Sequence, residues 1–543
     1  MLTEYDEVPY TGRVHHQTHV EAIATVAQIF GLEIPNIHRC RVLELGCGDG
    51  SNLLSMAYNM PDAFFYGVDF SQTHINRGRN MISNGKLSNI QLEAGNIDTF
   101  VFPNEPFDFI ICHGVFSWVS DHTRERILDI CKNKMSKLGI AYISYNTLPG
   151  WRMHSIIRDM MRYHSSRMDM TNDKIDQGRA MVQFAAEHVV GGDLSIYGQF
   201  IREQVDFISR IPGEYLYHEY LEPENTAFYF HEFIDLLQKH QLQYLGETDI
   251  STMVDLHYPE ETRAVLNDIA PNIYHLEQYM DFLRNRRFRC SLIVNHEREF
   301  NREITPEPFQ KLFIAFHAFP KGSPSPDEVK TTESGNLEES LKQLTYQTED
   351  AEDSQLISDS PLYNTALSYL HQQWPRAVHY DDLVCECEKR LNTELSKSER
   401  LNLATLIQTL LIGQQLDVHS FQAQLASEIS SHPAVSPMAR FQASHQHLVC
   451  SQRHDMVSVN DPWVRMLIEL LDGTRTQNEL TEALLEAHIA GKLPELVFID
   501  SDLPEEEQEV DVTLIPRSEV VERLGIRVHE ILKSLLENGV LVS

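Results

Sequence analysis

Val42-Leu43-Glu44-Leu45-Gly46-Cys47-Gly48-Asp49-Gly50 reads as a short apolar strand that runs into a turn with glycine at every second position. Glycine lets the backbone turn tightly and approach a ligand, and the first amides of the following helix then face whatever is bound. In dinucleotide-binding folds that group is a pyrophosphate. Here the pattern is E-x-G-x-G-x-G rather than G-x-G-x-x-G, with Glu44 ahead of the turn and Asp49 within it. Two carboxylates repel a phosphate and suit a cation, such as a sulfonium compound bearing an ammonium group.

Outward from this turn, short apolar runs alternate with amphipathic stretches, the pattern of a parallel sheet with crossover helices. Strands are expected at Arg41 to Leu45, Phe64 to Val68, Ile90 to Ala94, Phe107 to Cys112 and Ile140 to Tyr145. Trp151 to about Arg210 carries apolar residues at helical spacing, broken at Gly191-Gly192, and reads as an inserted cap. A helix at Tyr229 to His240 and strands at Tyr244 to Asp249 and Arg289 to Val294 complete a set of seven strands.

The strand ends carry the remaining chemistry. Tyr66-Gly67-Val68-Asp69 closes the second strand, and an acidic side chain there can accept both hydroxyls of a ribose. Asp69 follows Glu44 by one strand-helix-strand unit, which makes the pair more specific than either residue alone. Gly95-Asn96-Ile97-Asp98 after the third strand offers a polar side chain for an adenine amine and an apolar neighbour for its ring. The fourth strand runs into His113-Gly114-Val115-Phe116-Ser117-Trp118, which faces the reacting end of such a ligand.

At these residues the sequence resembles the class I S-adenosylmethionine-dependent methyltransferases, from about Tyr5 to Asn295. The fold this implies is α/β: a Rossmann-like seven-strand class I methyltransferase fold with a helical insertion, followed by C-terminal winged-helix-like domains. The implied cofactor is S-adenosyl-L-methionine, bounded by Tyr5, Glu44, Gly46, Cys47, Gly48, Asp49, Gly50, Asn52, Asp69, Phe70, Asn96, Ile97, His113 and Gly114. Many relatives have Asp where Asn96 stands; Asn can still accept from an adenine amine.

Four further stretches resemble a bacterial subgroup with a methyltransferase regulatory domain and C-terminal winged helices: Tyr5 to Tyr10, His113 to Val119, Ser144 to Met153 and Phe228 to Phe233. Its characterised members resemble the rickettsial outer-membrane-protein lysine methyltransferases. The implied activity is protein-lysine N-methylation, on a protein partner that includes outer-membrane or surface proteins among its candidates. Alternatives from other classes are methylation of a small molecule or peptide natural product, and a cofactor-sensing regulator that binds DNA.

Methyl transfer from a sulfonium needs a positioned neutral nucleophile and no protein nucleophile. Candidates for the acceptor channel are Tyr10, His113, Tyr145 and Asn146, with Tyr5, Trp118 and Trp151 nearby; each aromatic ring has core packing as its alternative use. His15 and His19 are spaced like a metal pair, but His16 replaces the glutamate of H-E-x-x-H, so a lid or cap is expected and no metal. Arg284, Arg286, Arg287 and Arg289 form a basic cluster, read as a solvated edge ahead of an acidic-peptide contact.

At 543 residues the chain exceeds what one core supports. The expected division is an N-terminal covering segment (1–40), the cofactor core (41–146), the helical insertion serving as cap or homodimer contact (147–226), completion of the sheet (227–300), a linker (301–360) and two winged-helix-like domains (361–422 and 423–543). Between Lys321 and Ser360 ten Asp or Glu stand against three Lys, which reads as linker, and Asp500 to Asp511 is a second acidic stretch. The net charge of -34 argues against nucleic acid as partner. The eight cysteines lack framework spacing, Cys385 and Cys387 forming only a C-x-C, and no stretch reaches ~20 apolar residues, so a cytoplasmic protein without membrane insertion is expected.

Overall fold

The computed structural model describes residues 12–192, 195–316, 319–320, 344–348, 351–422, 425–499, 509–511 and 515–542. Its centre is a sheet ordered β3-β2-β1-β4-β5-β7-β6. The strands are β1 Arg41–Leu45, β2 Phe64–Asp69, β3 Ile90–Ala94, β4 Phe107–Cys112, β5 Met135–Asn146, β6 Leu242–Glu247 and β7 Phe288–Asn295. Pairing is parallel except along β7, which runs antiparallel to both β5 and β6.

β1 and β4 read as nearly continuous apolar runs because helices cover the sheet on both faces. Val42, Phe109, Ile111 and Tyr142 pack into one layer with the helices Val20–Ile29 and Ser51–Asn59. Leu43, Leu45, Ile110, Ile143 and Tyr145 pack into the opposite layer with Asp121–Lys134 and Phe230–Lys239. Strand order reverses between β1 and β4, so the carboxyl ends of β1 to β5 open onto one crevice.

Several sequence expectations shift. The strand expected at Tyr244 to Asp249 is Leu242–Glu247, because the Asp249 carboxylate instead accepts from Ser251 N–H and caps a short 3-10 turn. The insertion is three helices, Trp151–Ser165, Thr171–His188 and Ile196–Arg210, followed by a π-helix at Tyr217–Leu221. These helices bury a small core of their own around Ile157, Met161, Val182, Ile201 and Tyr220.

The stretch expected as linker contains Phe313–Ala315, a strand that pairs with both Val378–His379 and Asp417–His419. That small sheet and the helices Pro361–Gln373, Tyr380–Leu391 and Lys397–Ile412 share a continuous core with one face of the central sheet. A separate core holds the C-terminal domain, whose expected terminal strand is reduced to a single bridge between Val435 and Leu541. The acidic residues 500–508 lie outside the described residues. Among the described residues no helix is long and apolar enough to cross a membrane, and all eight cysteines are free.

The basic cluster is neither a solvated edge nor a peptide contact as a whole. Arg289 is fully buried, bonded to Glu247 (2.9 Å), Glu277 (2.8 Å) and Asp281 (2.8 Å), with its guanidinium over the Phe230 ring. Arg286 adds a second pairing to Glu247 at 3.1 Å, and Arg284 donates to the carbonyls of Thr252 and Val254. Arg287 alone of the four is exposed. Pairing with three acids is what tolerates such burial of a guanidinium.

Candidate active site

Gly46, Gly48 and Gly50 all adopt positive φ (72°, 56° and 75°), so the turn needs glycine at each. A Cβ on Gly46 would also collide with Val115 from the β4 loop. Gly46 and Cys47 N–H donate to Val68 O, and Gly48 N–H donates to the Asp69 carboxylate at 2.8 Å. β1 is thereby locked to the end of β2. Gly50 caps helix Ser51–Asn59 without a side-chain hydrogen bond, and a Cβ there would collide with Leu92.

Glu44 lies at the head of this turn with 4% of its surface exposed. One carboxylate oxygen accepts from Asn52 Nδ2 at 2.9 Å, and the other is buried with no hydrogen-bond partner among the described residues. Burial raises its pKa to about 8, the Asn52 bond opposes, and Asp69 and Asp49 push further upward. A buried, unpaired carboxylate oxygen fits a cationic ligand and does not fit a phosphate. Asp49 Oδ1 accepts from Ser51, and Arg77 lies 3.4 Å from Oδ2, which is buried without a hydrogen-bond partner among the described residues. Cys47 is buried beneath the turn, close to Gly67.

Asp69 also accepts from Ser71 N–H at 2.8 Å, while burial raises its pKa. Phe70 follows it with 58% exposure. Asn96 is exposed and accepts from Asp98 N–H at 2.8 Å, and Ile97 is partly buried. Asn96 and Ile97, expected to frame a base, follow the end of β3, and Phe70 follows the neighbouring β2.

On the far side of the crevice, His113 Nδ1 lies 2.8 Å from Tyr142 OH, and its ring is 3.9 Å from the His15 ring. Burial, helped by His15, keeps its pKa well below the usual histidine range, so it is neutral. Gly114 N–H donates to Ser144 Oγ. Asn146 is buried; its N–H donates to Ser117 Oγ, and its Nδ2 has no partner among the described residues.

Tyr145 is a correction to the acceptor-channel expectation. It is 1% exposed, stacks on Phe233 at 4.1 Å and belongs to the opposite layer of the sheet. Side chains alternate along β5, so the register that sends Tyr142 toward His113 sends Tyr145 away. Tyr5 and Tyr10 lie outside the described residues. His15 lies over His113 as a lid would, whereas His19 caps helix Val20–Ile29 through Nδ1.

Sequence reading missed Tyr142, Arg77 and, above all, His454. His454 Nε2 reaches Asn52 Oδ1 at 2.7 Å from the C-terminal domain. Nothing in the chain signals that contact, since the two residues are 402 positions apart.

The strand order and a crevice lined by Glu44 and Asp69 define a Rossmann-like methyltransferase rather than an oxidoreductase. A methyltransferase domain matches residues 38–189, a predicted methyltransferase regulatory domain residues 212–295, and the C-terminal winged helix domain of PKMT residues 431–538. An uncharacterized protein of Rickettsia prowazekii, RP789, is 32% identical over 490 residues, 89% of this chain and 85% of its own. A second from that organism, RP028, is 39% identical over 44% of this chain and 96% of its own. The structure of PKMT2 from Rickettsia typhi superposes with a TM-score of 0.85 at 29% identity, covering 98% of this chain and 100% of that one. Its complex with AdoHcy gives 0.84. The chain belongs to this family of class I S-adenosylmethionine-dependent methyltransferases, which join a regulatory domain and a PKMT-type winged helix to the catalytic core. Its cofactor is S-adenosylmethionine.

Proposed function

We propose that this enzyme methylates lysine side chains of protein substrates. The observation that carries the reading is the extent of the likeness to PKMT2, which runs through the insertion and both C-terminal domains rather than the cofactor core alone. A small metabolite needs none of that added surface. Bound S-adenosylmethionine supplies an electrophilic methyl group on a sulfonium. Glu44 would answer the positive charge of its methionine portion, Asp69 the ribose, and Phe70 with Ile97 and Asn96 the adenine. His113, neutral and fixed by Tyr142, shapes the crevice wall without placing a charge beside the sulfonium. Free cysteines throughout fit a reducing compartment, and we place the reaction in the cytoplasm.

The test is incubation of the purified protein with methyl-labelled S-adenosylmethionine and a cell extract. Label in protein, recovered as methyllysine after hydrolysis, supports the reading. Label confined to the small-molecule fraction overturns it.

A further inference from the structure

Beyond the end of β5, five buried polar atoms have no hydrogen-bond partner among the described residues: Asn146 Nδ2, His154 Nε2, Tyr220 OH, Glu222 Oε2 and Asn225 Nδ2. They come from only two stretches, 146–154 and 220–225. Buried polar atoms are nearly always bonded, so orphans concentrated in two linked stretches point to a place where a polar group can bind. The two stretches are tied together: Trp151 Nε1 donates to Asn225 Oδ1 at 2.7 Å, and Phe228 N–H donates to Asn146 O.

Aromatic rings wall this region. Trp151 lies 4.3 Å from His154, His154 lies 4.5 Å from Tyr220, and Trp118 meets Trp151 edge-on at 6.2 Å. The π-helix Tyr217–Leu221 turns Glu219 toward His154, with 3.6 Å between Oε1 and Nε2. π-helical turns are rare and occur frequently at functional sites. Arg158 fixes this turn from behind, donating to the backbone carbonyls of Glu219 and Glu222. The Glu219 side chain keeps 20% exposure, so one face of its carboxylate is open. Ser117, which follows His113 in the β4 loop, accepts Thr226 N–H through its carbonyl and so joins this region to the methyl-facing loop.

A carboxylate at the mouth and apolar ring faces along the walls are complementary to a primary alkylammonium, with Tyr220 OH and Glu222 Oε2 as further acceptors; the two asparagine nitrogens are donors and take no part in holding a cation. Resting on the lysine reading above, we propose that Glu219, flanked by His154 and Tyr220, receives the ammonium of the acceptor lysine and takes its proton before methyl transfer. The ammonium gives one proton to the Glu219 carboxylate. The amine lone pair then forms the new C–N bond as the C–S bond breaks with its electron pair returning to sulfur. The product is a methylammonium, and Glu219 passes its proton to solvent. Burial raises the Glu219 pKa to about 7, with Arg158 and Arg287 opposing, which suits a group that exchanges a proton near neutrality. His154, lowered to about 3 by burial and nearby arginines, stays uncharged beside the incoming cation.

The experiment compares wild type with Glu219→Gln and Glu219→Asp, using a lysine-bearing protein substrate and S-adenosylhomocysteine binding as the measure of an intact cofactor site. The expected result is unchanged S-adenosylhomocysteine affinity in both variants. With Glu219→Gln, kcat/KM falls on the order of 100-fold and the rising limb of its pH profile near 7 is lost. Glu219→Asp recovers part of the rate. Methyllysine formed by Glu219→Gln at the wild-type rate and pH profile overturns the assignment of Glu219 while leaving lysine methylation intact. Label on an acceptor other than lysine in wild type overturns both.

Discussion

His454 of the C-terminal domain donates from Nε2 to Asn52 Oδ1, 2.7 Å away, behind the cofactor turn. The direction is fixed by chemistry. Asn52 Nδ2 donates to Glu44, so its oxygen faces His454 and can only accept; Nε2 therefore carries the proton, and Nδ1 accepts from Ser55 Oγ at 3.1 Å. Burial and the neighbouring histidines hold His454 well below its usual pKa, so this arrangement stays neutral. Thr18 Oγ and His15 N–H reach the same oxygen, so one amide joins the N-terminal segment, the core and the C-terminal domain.

Replacing His454 with Ala leaves Ser55 and Asn52 short of a buried partner. Losing such a bond costs about 1–3 kcal/mol, so S-adenosylmethionine affinity should fall roughly 5- to 150-fold, with a lower Tm. Calorimetry decides it: a lower Tm with unchanged affinity would mean that the contact only docks the domain.

The raised pKa of Glu44 predicts a pH dependence with a definite sign. Between the ordinary carboxylate range and about 8 the folded apoprotein holds a proton that the unfolded chain has released, so apoprotein stability falls as pH rises through that window. A bound cation draws Glu44 into its ionised form. Cofactor affinity should therefore rise with pH toward about 8 and then level, with proton release on binding at pH 7. Titrations in buffers of different ionisation enthalpy measure that release; a pH-independent Kd would remove Glu44 from the cation site.

Asp69→Ala removes the acceptor of both Gly48 and Ser71 N–H as well as the ribose contact. Charged hydrogen bonds contribute about 1.5–3 kcal/mol each, so affinity for S-adenosylhomocysteine should drop at least about 100-fold. Retained affinity in calorimetry would reject the ribose assignment.

Tyr145→Phe removes only a hydroxyl 3.5 Å from Ser291 Oγ in the core, and kcat should stay within about twofold of wild type because no reacting atom is touched. A large loss of kcat with intact Tm would return Tyr145 to the acceptor channel.

Arg289→Met leaves Glu247, Glu277 and Asp281 buried around an absent cation. Breaking a buried charge cluster costs about 3–5 kcal/mol, so denaturant unfolding should show a clear loss of stability at neutral pH. An unchanged midpoint would mean that Arg286 alone satisfies the three acids.

Residues 42–50 carried the cofactor half of this protein in one stretch of sequence. The glycine spacing dictates three positive-φ residues, Glu44 sits where the strand must end, and Asp69 follows one crossover later. Those features are local or separated by one repeating unit, so the chain itself determines them. The same reasoning failed at Tyr145 and at the arginine cluster, because neither the face of a doubly buried strand nor the partners of a buried charge can be read from composition. Arg289 looked solvated until residues from β6 and helix Ile273–Arg284 enclosed it. His454 beside Asn52, and five orphaned polar atoms gathered from two distant stretches, exist only because packing brings those segments together. The sequence by itself determined the cofactor chemistry, whose geometry is written in backbone conformation and strand ends. Tertiary structure decided which side chains share the crevice, since long-range burial, and not local pattern, selects them.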